Sequence, residues 1–348
     1  MKASKWGIAL LFLCCATGMC DVTSVPKHKW TFKFEAPKKL HATGLVKKNI
    51  PESELPDMRF KLADVPVPQT VDLTVGNVLS PVLDQGQCGS CVYHSVTANF
   101  TDSLLLRGIN LGTDSRMSAE FLMTSRLDQG SRCNGSYFTA TAPATANGMP
   151  MFTDCPYNMG RKGCAANVPL HGKSVSSRVI DPSVKSIMVA LMQKYPVSNT
   201  IGANGTFQGY SSGIFNACAN VGTNHETEIV GASCGTSVDA SGNCVFDATG
   251  NLPAGVGYYK IRNSWGTSWG ENGFYRIAIT DSQGRKCNNV ADEVGIIETG
   301  IPVPTPVPPT PPVPPAPTPF NWGILATIAQ IIGALAGVVA LVLVLRKK

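Results

Sequence analysis

Charge is what this chain has least of. Only 15% of its 348 residues are Asp, Glu, Lys or Arg. The formal net charge of +6 is gathered at the edges rather than on one face. Lys2 and Lys5 stand at one end, Arg346, Lys347 and Lys348 at the other, and residues 21–62 carry nine basic against five acidic side chains. The remainder, 63–345, holds 15 basic and 18 acidic residues. A nucleic-acid partner requires a basic patch or stripe, so that class of function is excluded.

Long apolar runs are equally scarce. Ile8 to Cys15 is too short to cross a bilayer. With Lys2 and Lys5 ahead of it and Ala16-Thr17-Gly18 behind, residues 1–20 read as a secretory signal peptide. The one long run is Gly323 to Leu345, 23 residues without a charge. It predicts a membrane-spanning helix over about 321–345. Trp322 sits at one interface, and a cytosolic tail of 346–348 fits the positive-inside rule. The terminal charges argue against a lipid-anchor signal. More than half of residues 302–319 are Pro, which predicts an extended stalk over 301–320. The expected topology is single-pass type I, with the main domain lumenal or extracellular, in a plasma membrane or a lysosome-like compartment.

An oxidising compartment gives the cysteines meaning. Once the signal is removed, nine remain: Cys88, Cys91, Cys133, Cys155, Cys164, Cys218, Cys234, Cys244 and Cys287. An odd count in a secreted domain implies a free thiol. Cys91 is the natural candidate. It follows Asp84-Gln85-Gly86-Gln87-Cys88-Gly89-Ser90 and opens a run with apolar Val92, Val96, Phe100 and Leu104 at a spacing of four, which predicts a helix. Arg107-Gly108 marks its end. A thiol in the first turn feels the positive helix end and unpaired backbone N–H groups. Both favour thiolate, the nucleophilic form.

This stretch resembles the papain/cathepsin cysteine proteases, with Val92 where that family usually has Trp. Two further segments carry the resemblance. His225 stands in Thr223-Asn224-His225-Glu226-Thr227, and Asn263 in Asn263-Ser264-Trp265-Gly266-Thr267-Ser268-Trp269-Gly270. The distance from Cys91 to His225 fits the spacing known for the family, and Asn263 follows His225 in the family's order. The resemblance covers roughly residues 64–299. It implies an α+β fold of two lobes, a helical lobe over about 81–170 and a β-barrel-like lobe over about 171–300, within a peptidase domain of 64–300. It implies Cys91 as nucleophile, His225 as acid and base, Asn263 as the residue orienting the imidazole, and Gln85 as donor to the oxyanion. Neither a cofactor nor a metal is called for, and the partners are peptide or protein substrates.

The resemblance also implies a substrate edge at Gly135 and Ser136, where Ser136 replaces a glycine and narrows the cleft. Trp265 covers the Asn263–His225 contact. Glu226 stands where the family has Gly or Ala, bordering the pocket for the second residue before the scissile bond. There it favours Arg or Lys in the substrate, unless it is paired internally. By resemblance Cys88 bridges Cys133. Cys155 and Cys164 close a local loop, Cys234 and Cys244 close an insertion at about 232–256, and Cys218 pairs with Cys287. The Cys155–Cys164 loop lacks the paired histidines that would support carboxydipeptidase activity.

Residues 21–63 read as a short propeptide or a permanent N-terminal arm, with one strand around Trp30, Phe32 and Phe34. Of three sequons, Asn99 falls on the helix and Asn134 beside the cleft, which leaves Asn204 for glycosylation. Two other functions share these residues. One is a protease-like surface receptor or adhesion module without catalysis. The other is a peptide ligase, which passes the same acyl-enzyme to an amine.

Overall fold

The computed structural model describes residues 30–37, 39–46, 65–112, 114–124 and 132–300. The expected signal peptide, stalk, membrane helix and tail lie outside the described residues, as do parts of the N-terminal segment. Among the described residues, no helix is long and apolar enough to cross a membrane.

Two hydrophobic cores organise the chain. The first surrounds helix α1 (Cys91–Leu105). Val92, Val96, Phe100 and Leu104, the residues spaced by four, are all fully buried and pack with Met117, Leu122 and Met149. A short helix α2 (Ala119–Thr124) adds Leu122 and Met123, and Ser118 caps it by accepting from Phe121 N at 3.2 Å. Helix α3 (Phe138–Thr141) follows the substrate-edge loop.

The second core lies on a nine-stranded sheet. Its strands are β1 (Phe32–Phe34), β2 (Thr70–Asp72), β3 (Ser176–Val179), β4 (Val197–Ile201), β5 (Tyr210–Phe215), β6 (His225–Ser233), β7 (Tyr258–Arg262), β8 (Phe274–Ala278) and β9 (Val294–Glu298). They run in the order β1-β5-β8-β7-β6-β4-β9-β3, with β2 joined to β6. Helix α4 (Val184–Met192) packs against this sheet, and the short α5 (Gly205–Gln208) precedes β5. Phe207, Phe215, Trp269 and Tyr275 meet edge to face or tilted in its centre.

The periodic pattern alone makes α1 amphipathic, yet it is buried on nearly every side. Its polar stripe, Ser95, Asn99 and Asp102, faces the sheet instead of water. Ser95 Oγ donates to Thr227 O at 2.9 Å, and Asn99 Nδ2 to Pro196 O at 3.0 Å. Asp102 accepts from Ser80 N at 2.8 Å and from Arg262 Nη2 at 2.6 Å. Arg262 also donates to Glu228 through Nε at 2.9 Å. One buried guanidinium therefore faces two buried carboxylates. Burial and the neighbouring Asp102 raise Glu228 to about 8. Polar groups that leave water must find partners, so this stripe sets how the helix docks on the sheet.

Disulfides join Cys88 to Cys133, Cys155 to Cys164, Cys218 to Cys287 and Cys234 to Cys244. Cys91 is the free cysteine among the described residues.

Candidate active site

The docked helix brings its first turn against the start of β6. Cys91 is fully buried there, and its sulfur accepts from the backbone N–H of Glu226. That amide is bonded directly to the His225 carbonyl carbon, so the thiol lies against the backbone that carries the histidine. Just past the end of the neighbouring strand β7, Asn263 Oδ1 lies 2.8 Å from His225 Nε2. The same Oδ1 accepts from Ser264 N at 2.8 Å. Two donors converge on one oxygen, so His225 carries its proton on Nε2. Its Nδ1 is left with a free lone pair and no hydrogen-bond partner. Trp265, 1% exposed, stacks on the His225 ring with centroids 4.6 Å apart.

Gln85 reaches the same place from the loop ahead of α1. Its Nε2 donates to Cys88 O at 2.8 Å and to Ala42 O at 3.1 Å. Its Oε1 accepts from Ser264 Oγ at 2.6 Å. Ser264 thus fixes the Gln85 amide with its nitrogen towards Cys88 O and Ala42 O, while its own backbone N–H steadies Asn263. Tyr157, from the Cys155–Cys164 loop, donates to Gln85 O at 2.9 Å and pairs with Ser90 Oγ at 2.7 Å. Sequence reasoning passed over both residues. Ser264 could have been noticed because it follows Asn263 directly.

The N-terminal arm runs through the cleft. Ser136 N donates to Gly44 O at 2.9 Å and Val46 N to Ser136 O at 2.8 Å, a parallel strand contact along the substrate edge. Leu45 N donates to Asn224 O at 3.2 Å on the other wall. His41 stacks on Trp265 at 4.5 Å, and the Gly44 N–H also reaches the Cys91 sulfur. The approach is close enough to demand glycine on both sides. A Cβ on Gly44 would lie 2.0 Å from Gly89 O, and one on Gly135, at φ +96°, would lie 2.1 Å from Gly44 O.

This burial reverses one expectation. The helix end favours thiolate, yet loss of water pushes the Cys91 thiol up to about 12 and pulls His225 down to about 4. With the arm seated, both partners are neutral. Desolvation outweighs the helix dipole, whose contribution is about 1 kcal/mol, because the ionised pair has no solvent and faces few fixed charges.

Ser136 does not stand free in the cleft, because its hydroxyl pairs with Thr141 Oγ1 at 2.8 Å. Glu226 is 1% exposed and sits in the interior beside Ser95 and Glu293, not at the surface of the groove. Asn204 is half-buried at the start of α5, where its Oδ1 accepts from Phe207 N at 2.9 Å. Asn99 is fully buried. No group of His, Cys, Asp and Glu suited to a metal occurs among the described residues.

Comparison with known proteins places the chain. Residues 67–296 match the sequence profile described as papain family cysteine protease. The chain belongs to that family. Papain of Carica papaya is 31% identical over 218 residues, spanning 62% of this chain and 56% of the papaya protein. Viral cathepsin of Adoxophyes honmai nucleopolyhedrovirus is 29% identical over 219 residues, spanning 61% and 57%. The chain therefore spans a little over half the length of these curated relatives. Among solved structures, the bromelain protease of Ananas comosus in complex with the E64 inhibitor superposes with a TM-score of 0.53 at 23% identity, covering 67% of this chain and 99% of that one. Digestive procathepsin L2 proteinase from Tenebrio molitor larval midgut gives 0.54 at 21%, covering 76% and 77%. These structures establish the papain-like fold, mixed α and β, for this member of the family.

Proposed function

We propose that this chain is a cysteine endopeptidase. The observation that carries the reading is the His225–Asn263 contact, which leaves Nδ1 of a buried imidazole without a partner, on the residue whose neighbouring amide, that of Glu226, meets the unpaired Cys91 thiol. Cys91 attacks the substrate carbonyl and transfers its proton to His225 Nδ1. The carbonyl oxygen takes the place now held by Ala42 O, where Gln85 Nε2 stabilises its growing charge. His225 returns the proton to the leaving amine, and water then hydrolyses the thioester by the same route. Asn263 holds the tautomer through Oδ1, the third-member role of a Cys-His-Asn constellation.

The test is incubation of the opened enzyme with an epoxysuccinyl inhibitor and mapping of the modified residue. Label on Cys91 together with cleavage of fluorogenic peptides supports the reading, and an unlabelled, inert chain removes it. Products formed with an added amine separate hydrolysis from acyl transfer. Gln85→Ala should lower kcat by about 100–1000-fold while leaving the alkylation rate of Cys91 nearly unchanged, since Gln85 acts on the oxyanion and not on the sulfur. Ser264→Ala should lose activity in the same direction by a smaller factor.

The arm at residues 41–46 is the latch of this enzyme. With the arm seated, the sulfur accepts from the N–H of Gly44, and Ala42 O takes up a Gln85 N–H, so the cleft is filled by the chain's own backbone. The secretory leader at 1–20, the stalk at 301–320, the type I anchor at 321–345 and a glycan on Asn204 belong to the same reading. Four disulfides among the described residues support an oxidising compartment. Full-length protein should stay with membranes through alkaline carbonate extraction, whereas a chain stopped at 300 should be released.

A further inference from the structure

Beside Asn263, between α1 and strands β6 and β7, lies a cavity of ≈ 20 Å³. Its walls include His94 and Ser95 from α1, Glu226 and Glu228 from β6, and Asn263 and Ser264 after β7. That volume admits one water molecule. Four buried polar atoms of these walls have no hydrogen-bond partner: Asn263 Nδ2, both carboxyl oxygens of Glu226, and Glu228 Oε1. The Ser95 hydroxyl also faces Glu226, but its one proton is shared with Thr227 O at 2.9 Å and Ser198 Oγ at 3.0 Å, so it leaves the carboxyl under-satisfied. An orphaned buried group costs about 1–3 kcal/mol. Donors and acceptors orphaned together around a water-sized space point to a shared solvent partner, because one water can satisfy two to four of them.

We propose that this cavity binds one water that accepts from Asn263 Nδ2 and donates to the Glu226 carboxyl, making Glu226 a positioning residue for the His225–Asn263 pair. The inference rests on the peptidase reading above and assigns a residue that the family resemblance leaves as Gly or Ala.

The chemistry is that of an amide with two ends of nearly equal size. If Asn263 turned over, Nδ2 would face His225 Nε2, which would then have to accept. The imidazole proton would move to Nδ1, the atom that must receive the thiol proton. Ser264 N holds Oδ1 in place, and the water-linked carboxyl holds Nδ2. Glu226 is pushed well above its ordinary range by burial, with Glu293 adding repulsion, so it holds its proton near neutral pH. A neutral acid suits this site, since an ionised one would oppose the Cys91 thiolate. The charged or titratable groups around the cavity and the pair are Cys91, His94 and Asp102 from α1, His225 and Glu228 from β6, Arg262 from β7, Glu293 ahead of β9, and His41 from the arm.

The test uses the full-length chain carrying Gly44→Val, in which the arm cannot seat, with and without Glu226→Leu or Glu226→Gln. Outer partners that orient a histidine are worth about 10–100-fold. Glu226→Leu should lower kcat at least about tenfold with KM within about twofold and should displace the acid limb of the pH profile. Glu226→Gln keeps a neutral acceptor and should restore kcat to within about threefold of the parent. A crystal structure should contain a water between Asn263 Nδ2 and residue 226. Three results would each overturn the proposal: unchanged kcat in Glu226→Leu, equal losses in the Leu and Gln variants, or a change confined to KM for substrates with Lys or Arg two residues before the scissile bond. An empty cavity in the crystal would do the same, and that readout stands even if the Leu variant does not fold. Failure of the peptidase reading looks different: the parent is inert and unlabelled while the water and the amide orientation remain visible.

Discussion

Cys91→Ala should abolish turnover, lowering kcat by about 10⁶-fold in the opened enzyme. The size of this effect follows from what the thiol does. It forms the covalent bond that divides amide cleavage into two steps, and nothing near it can substitute. Cys91 is in no disulfide, and alanine removes one buried sulfur, so the fold should persist and the loss should be chemical. His225→Ala should cost nearly as much, and the double variant little more, because nucleophile and base act as a unit. The measurement is steady-state cleavage of a fluorogenic peptide, with thermal unfolding as the control for folding. Turnover that survives Cys91→Ala would place the chemistry elsewhere.

The second large effect belongs to the arm. In the seated form the Cys91 thiol is held at about 12, so only about one molecule in 10⁵ is thiolate at pH 7. Gly44→Val cannot be accommodated, because its Cβ would lie 2.0 Å from Gly89 O. The arm must then leave the cleft, and water returns to Cys91 and His225. Reactive cysteines at helix ends next to a histidine titrate at roughly 3.5–7.5. Alkylation of Cys91 by iodoacetamide should therefore accelerate by at least about 1000-fold, and peptide cleavage should appear with it. The sign of the pH dependence is set by the same groups. With the arm seated, burial raises Cys91 and lowers His225, so neither ionises between about pH 5 and 9 and alkylation should be nearly absent there. In Gly44→Val a thiolate plateau should extend across that range. Equal alkylation rates in the two proteins would mean that the arm does not control the thiol.

The two halves of this site were unequally legible in the chain. The nucleophile, its helix and the order Cys91, His225, Asn263 are local patterns: a Gly-rich turn, an apolar residue every fourth position, and a short run around each partner. The apolar spacing is a property of one helix turn repeating, so it predicts α1 from sequence alone. The same spacing says nothing of the opposite stripe, because Ser95, Asn99 and Asp102 acquire partners only when the sheet is laid over them. Ser264 and Gln85 are 179 residues apart and Tyr157 and Gln85 are 72 apart, so no local pattern announces either hydrogen bond.

What the amino-acid order determined by itself was chemistry in short range: which thiol is unpaired, which side chains neighbour it on turns and strand ends, and which segments are apolar enough to be buried. Only the tertiary structure decided the rest. The strand β6 alternates sides, so His225 faces Trp265 while Glu226 turns inward towards α1, and a residue expected at the groove becomes part of the interior. The arm, far from the catalytic residues in sequence, is laid across the thiol by backbone hydrogen bonds that carry no side-chain signature. Whether Cys91 is a nucleophile or an inert thiol then depends on water, and water is excluded by packing, a property that belongs to the folded chain and to no single stretch of it.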